Sequence, residues 1–316
     1  MTDVDAQARR IERLRHELID EGIWGHDEDP RTSLLISELD YARHPHRHEG
    51  TAARYGAIIS ASKPPAAAIG PAELIDIDGA SLDVVRLLAD GRSSFVVRVV
   101  DKGDRLVCFE RTREYESSAV HLAMKGDGLI IQRLSNGWIR LTTPYRVATW
   151  DGVGWNVKAL SDRQIERVLD EIGPADQTLV ANLLELCTHW LGAGRIGATI
   201  VWHPDGDARE LGHLGFNAAV DVPPLDLRNR NHFAAMLNAL SQFDRAAIVD
   251  ADGRISQVGV QLWSSDASRR NIPSHRGTRH TSALRFSADA PDAVVFVVSS
   301  SGTLTVCRAG RRLNLP

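Results

Sequence analysis

The stretch "RGTRHTSALRFSADAPDAVVFVVSSSG", residues 276–302, decides the fold class of the C-terminal half. It places a small-residue helix at about 278–288 directly before the run Ala293 to Val298. That run has no alternation of polar and apolar residues, which predicts a central strand covered on both faces. Working outward, "TLTVCRA" follows as another strand. Upstream, "RAAIVD" and "RISQVGVQL" read as strands joined by a turn containing Asp252-Gly253. Earlier still come a helix at about 175–191, the strand "IGATIVW", a Pro-Asp-Gly turn at 204–206 and a helix at about 230–241. Helices mixed with hairpin-joined strands predict an α/β (α+β) layered domain with a mixed sheet flanked by helices.

The N-terminal half has a different texture. Ile11, Leu14, Leu18 and Ile19 share one face of a helix over about Asp5–Glu21. A polar loop follows, in which His44, His46 and His48 alternate; Pro45 and the neighbouring arginines favour a solvated loop over a metal site. "ASKPPAAAIGPAELI" is an irregular connection, and its Ser60-x-x-Lys63 is a match of letters only. The runs "SSFVVRVV", "RLVCFE", "GLIIQRL", "GWIRLTT" and "RVATW" predict an antiparallel sheet with one or two helices over about 75–158. Asn136-Gly137 supplies a tight hairpin between two of the strands. Trp138, Trp150 and Trp155 line a ligand pocket or, more commonly for such residues, belong to the core. "LSDRQIERVLDEIGPAD" opens as a helix and breaks at Gly173-Pro174. The boundary is placed where this pattern begins, with a β-rich α+β sensor or regulatory domain over 1–160 and the layered domain over 161–316.

Composition narrows the function classes. The 316 residues are 43% hydrophobic and 25% charged, a packed globular composition. The net charge of −4 argues against a general nucleic-acid binder. Cys108, Cys187 and Cys307 lie far apart in apolar runs, as buried free thiols do in a reducing compartment. The charged N-terminus lacks the apolar core of a signal peptide, and no apolar run reaches the ~20 residues needed to span a bilayer. A cytoplasmic protein with no membrane partner is expected.

Three motifs bear on chemistry. "GAGRIG", 192–197, matches the glycine pattern of dinucleotide folds, but it stands after a helix and before a strand, the reverse of the order that places a pyrophosphate on a helix N-terminus. The segment 261–280 holds Arg269, Arg270, Arg276, Arg279, His275 and His280 against the single acid Asp266. Such an excess suits a polyphosphate or is a solvated basic loop. Gly277, Thr278, Arg279 and His280 stand where the helix begins, and free N–H groups there favour an anion. Glycine allows close approach, threonine adds a hydroxyl and arginine a planar fork for phosphate oxygens. Asp244, just before a buried strand, is either a turn residue or a ligand for Mg2+ or Mn2+ held against substrate phosphates.

Taken in order, "IGATIVW", "FDRAAIVDADGRISQVGVQL", "RGTRHTSALRFS" and "DAVVFVVSSSGTLTV" resemble the diadenylate cyclase (DAC, DisA N-terminal-like) family over roughly residues 175–310. The resemblance implies condensation of two ATP into cyclic di-AMP. It assigns Asp244, Arg279 and His280 to catalysis, and Asp244 with His280 to a metal, Mg2+ or Mn2+. Ala246, Leu262, Gly277, Thr278, Thr281 and Ser299 would contact substrate, Leu262 beside the adenine. It also implies a homo-oligomer, since two half-sites must face each other at least transiently. The chain departs from the family's Asp-Gly-Ala with Asp244-Arg245-Ala246, and from Arg-His-Arg with Arg279-His280-Thr281. The alternative is therefore a catalytically degenerate module that binds ATP or a cyclic dinucleotide, or a domain that uses the fold only as a scaffold.

Overall fold

A computed structural model describes residues 3–25, 28–45, 47–48, 51–61, 71–77, 79–100, 102–173, 175–274 and 277–313. The sequence expectations for His46, Lys63, Pro174, His275 and Arg276, and for most of the Pro/Ala connection, lie outside these residues. The chain divides into two compact units, Met1–Leu160 and Ser161–Pro316. No helix among the described residues is long and apolar enough to cross a membrane.

In the N-terminal unit an eight-stranded sheet runs in the order Trp155–Ala159, Arg146–Trp150, Ile139–Thr142, Gly128–Arg133, Tyr55–Ser60, Ser94–Val99, Lys102–Phe109, Ala72–Asp76. The expected purely antiparallel sheet is corrected at its centre, where Tyr55–Ser60 pairs parallel with Ser94–Val99. Helices Asp3–Asp20 and Thr32–Arg43 cover one face through Leu14, Leu18, Leu35 and Leu39. Helix Glu116–Gly126 covers the other through Ala119, Leu122 and Ala123. Thr32–Arg43 replaces part of the expected polar loop. Its charged residues mask a buried stripe of Leu35, Ile36, Leu39 and Ala42, and Glu38 is buried because Arg86, Arg98 and Tyr55 all bond it. The Asn136-Gly137 hairpin forms as expected, with Gly137 at positive φ. Trp150 and Trp155 pack against the core and place their rings 4.7 and 5.3 Å from the Arg43 guanidinium.

The C-terminal unit contains α1 (Asp162–Ile172), α2 (Gln177–Glu185), β1 (Ala198–Trp202), β2 (Leu214–Gly215), β3 (Val220–Asp226), α3 (Phe233–Ser241), β4 (Ala246–Val249), β5 (Arg254–Leu262), α4 (Asp266–Asn271), α5 (Thr278–Asp289), β6 (Val294–Val298), β7 (Leu304–Arg308) and β8 (Arg311–Arg312). The sheet order is β2-β5-β4-β1-β6-β7-β8, with β3 also on β5. Only β1 and β4 are parallel, so the sheet is mixed, as expected.

Why the valine run lacks alternation is plain from the packing. Phe296 and Val298 enter a core shared with α1, α2 and α3, while Val295 and Val297 enter a second core under α5. In β1, Ile200 and Trp202 face the first core and Val201 the second. Two features departed from expectation. The helix expected over 175–191 is α2 followed by a π-turn, Leu186–Leu191, in which Gly192 N–H reaches Cys187 O. β3 was hidden by Pro223 and Pro224, which fall inside a register shift between Asp221 and Leu225, where no ladder donor is required. All three cysteines are free, and burial pushes Cys307 up to about 11.

Phe296 is fully buried at the centre of the sheet. Phe296→Ala should cost about 3–5 kcal/mol by loss of transfer energy and the cavity left behind. Urea unfolding should show that loss in the C-terminal unit's transition.

Candidate active site

Strand pairing assembles the site. β1 and β4 run parallel with Thr199 opposite Ala246, so both begin at the same edge of the sheet. β6 runs antiparallel to β1 with Val298 opposite Ala198, so it ends there. Gly197, Asp244 and Ser299, each just beyond a strand terminus, therefore meet. Helix α5 packs back along β6, which returns its N-terminus to this edge.

Here lies a cleft of about 500 Å³ lined by Asp244, Gly277, Thr278, Arg279, His280, Ser299 and Ser300. A lobe of about 240 Å³ shares Asp244, Thr278 and Arg279 with it, and adds Thr199, Arg245, Ala246, Val260, Gln261, Leu262 and Ser282. Of the residues expected at the site, only Thr281 is absent from these linings. It is buried, and its hydroxyl donates to Gly277 O at 3.1 Å inside the first turn of α5. Arg269 is exposed on α4 and bonds Ser264 Oγ at 3.3 Å, and it does not line the cleft.

At the mouth, Arg279 Nη2 donates to Asp244 Oδ1 at 2.6 Å; Asp244 is 94% exposed and Arg279 32%. Such an exposed pair is weak and exchangeable. Gly197 makes room for it, since a Cβ there would lie 2.2 Å from Arg279 Nη1. Gly277 precedes α5 at φ +99, where a side chain is strained, and among the described residues no side chain caps the helix. The helix N–H groups thus open toward the cleft with the positive end of the dipole. Ser299 Oγ accepts from the N–H groups of Ser301 and Thr303, which folds the "SSSGT" turn beneath its own hydroxyl.

Burial lowers the His280 pKa, and the charges of Arg312 and Arg279 lower it further. A neutral imidazole beside an exposed carboxylate suits Mn2+, and the carboxylate alone suits Mg2+. No cluster of three or more metal-ligating side chains exists among the described residues. Asp244 and His280 are thus two protein donors, a set that fits a divalent ion completing its shell with other ligands and not one caged by protein.

Sequence reasoning passed over several lining residues. Ser282 is four residues beyond Thr278 and so shares its helix face. Thr199 was findable from the β1–β4 register, which itself requires the fold. Gly197 ended the glycine motif rejected for dinucleotide binding, and that helix–turn–strand order is what the structure has. Its use is the close approach of Arg279.

The cleft lies at the strand ends of a layered α/β domain with a mixed sheet. Residues 186–312 match the family model described as "DisA bacterial checkpoint controller nucleotide-binding" (DAC), and residues 12–158 match "Probable sensor domain DACNK". The C-terminal unit thus carries a DAC-family domain and the N-terminal unit a DACNK-family domain. Among solved structures the chain is similar to a double mutant of DacA from Staphylococcus aureus. The identity there is 20%, the TM-score 0.34, and the match covers 44% of this chain and 87% of that one. It is also similar to a hypothetical membrane spanning protein from Bacillus cereus, at 15% identity and TM-score 0.35, covering 49% of this chain and 72% of that one. No curated protein matches the chain.

Gly197→Ala should push the Arg279 guanidinium off Asp244 while leaving the melting temperature within a few degrees, because only the tip of a flexible side chain must yield. A shifted Arg279 signal in an arginine side-chain 15N spectrum would report it. His280, titrated by NMR, should protonate below the ordinary histidine range, and Arg312→Gln should move that titration upward. The sign for stability follows from the lowered pKa. The contribution is full above the ordinary histidine value and declines as pH falls below it.

Proposed function

We propose that residues 161–316 are a diadenylate cyclase module, which condenses two ATP into cyclic di-AMP and pyrophosphate. The observation that carries this reading is the meeting of Asp244, the Gly277–His280 helix start and Ser299 in one cleft of a DAC-family domain. The N–H groups at the start of α5, the Thr278 hydroxyl and Arg279 receive the triphosphate. Ala246, Val260 and Leu262 supply the apolar walls of the adjoining lobe for the nucleoside, with Leu262 beside the adenine. Asp244 and His280 would hold Mg2+ or Mn2+, which supplies charge neutralisation at the α-phosphate when bound.

In the proposed reaction the 3′-oxygen of one ATP bonds to the α-phosphorus of the other as the bond to pyrophosphate breaks. The hydroxyl proton goes to solvent. Repeating the step with the roles exchanged closes the ring and releases the second pyrophosphate. Arg279, freed from Asp244, places its charge where the phosphate's negative charge grows. Each cleft serves one ATP, so two copies must face each other, at least transiently. The DACNK unit acts as the sensor or regulatory part.

One observation favours a second reading, a module that binds nucleotide without turnover. Asp244 Oδ1 is held by Arg279, and the third position of Arg279-His280-Thr281 is neutral and buried.

Incubated with ATP and Mn2+ or Mg2+, the full chain should form cyclic di-AMP, identified by chromatography and mass. Asp244→Ala should reduce it at least about a hundredfold, as loss of a metal or charge-stabilising group does. Bound ATP without product would select the second reading.

A further inference from the structure

We infer that Arg245 is a phosphate-binding cation of this cleft, supplying the net positive charge that the Asp244–Arg279 pair cancels. This rests on the nucleotide reading above and adds to it a residue that the family pattern does not assign. The charge balance carries it. Among the described residues that line the two lobes, the Asp, Glu, Lys and Arg side chains are Asp244, Arg245 and Arg279. Asp244 and Arg279 neutralise each other at 2.6 Å. Arg245 is left as the one uncompensated charge on the described lining.

Its surroundings support the same role. Some arginines of this unit are tied down, as Arg228 is to Asp176 and Arg230 to Glu185. Arg245 is exposed and makes no hydrogen bond or ion pair among the described residues, although Asp244 is its chain neighbour. It stands at the last position before β4, where Ala246 turns inward into the core, and it lines the smaller lobe together with Asp244, Thr278 and Arg279, which that lobe shares with the larger cleft assigned to the triphosphate. A guanidinium so placed meets a bound polyphosphate without first breaking another bond, and its fork offers paired donors to phosphate oxygens.

The test compares two probes by calorimetry on the full chain with Mg2+: 3′-deoxy-ATP, which lacks the attacking hydroxyl, and 3′-deoxyadenosine, which lacks the phosphates. Arg245→Gln should weaken 3′-deoxy-ATP about tenfold, the loss expected for one charged hydrogen-bonding partner, and leave the nucleoside within about twofold. Its salt dependence should flatten, and Arg245→Lys should recover most of the affinity. An equal loss for both probes would overturn the inference in favour of a nucleoside contact. No loss for either would overturn it outright while leaving the nucleotide reading intact. Failure of the wild type to bind either probe would overturn both. Since Arg245 is exposed, an unchanged melting temperature will show that the variants fold.

Discussion

The site depends on one constraint, the direction of three adjacent buried strands. β1 runs parallel to β4 and antiparallel to β6. Two strand beginnings and one strand end are thereby forced to the same edge, and the residues just outside them have no choice but to converge. Side chains on both faces hold the arrangement, because each strand divides its residues between two cores. Sliding β6 by one residue would exchange Phe296 with Val295 between those cores, and would also carry Ser299 away from the cleft. Position and stability are therefore set by the same packing.

How much of this the sequence displayed follows from how local each signal was. The valine run, the small-residue helix and the Asp252-Gly253 turn are local, and each formed where its pattern placed it. The helix Thr32–Arg43 was not legible, because a buried glutamate with partners 17 to 60 residues away looks like a surface residue. β3 was not legible, because its two prolines contradict a strand unless a register shift excuses them. At the site, Asp244, Gly277, Thr278, Arg279, His280 and Ser299 were named from motifs and do share one cleft. Thr281 was named with them by adjacency, but one helical step turned it inward. Ser300 also lines the cleft, and Gly197 lies against Arg279 because the sheet order brings their elements together.

Electrostatically the cleft is spare. Arg279 is shared with Asp244, and His280 is discouraged from charging. Burial and two nearby arginines act on His280 in the same direction, which keeps its ring nitrogen available as a ligand or acceptor. Positive charge and metal-binding capacity are thus not independent in this cleft. A cation that took the Asp244 carboxylate would release Arg279 for the phosphates.

The two units use the same chemistry to opposite ends. In the N-terminal unit the Glu38 carboxylate is fully buried and bonded by Arg86, Arg98 and Tyr55. Water cannot reach that carboxylate to replace these bonds, so the cluster locks helix to sheet. In the C-terminal unit the Asp244 carboxylate carries a single arginine and stands 94% exposed. Water solvates whichever partner is let go, so the pair can open at little cost. Depth alone separates an ion pair that holds an architecture from one that can be exchanged for a ligand, and the exposed pair is the one found at the meeting point of the strand ends.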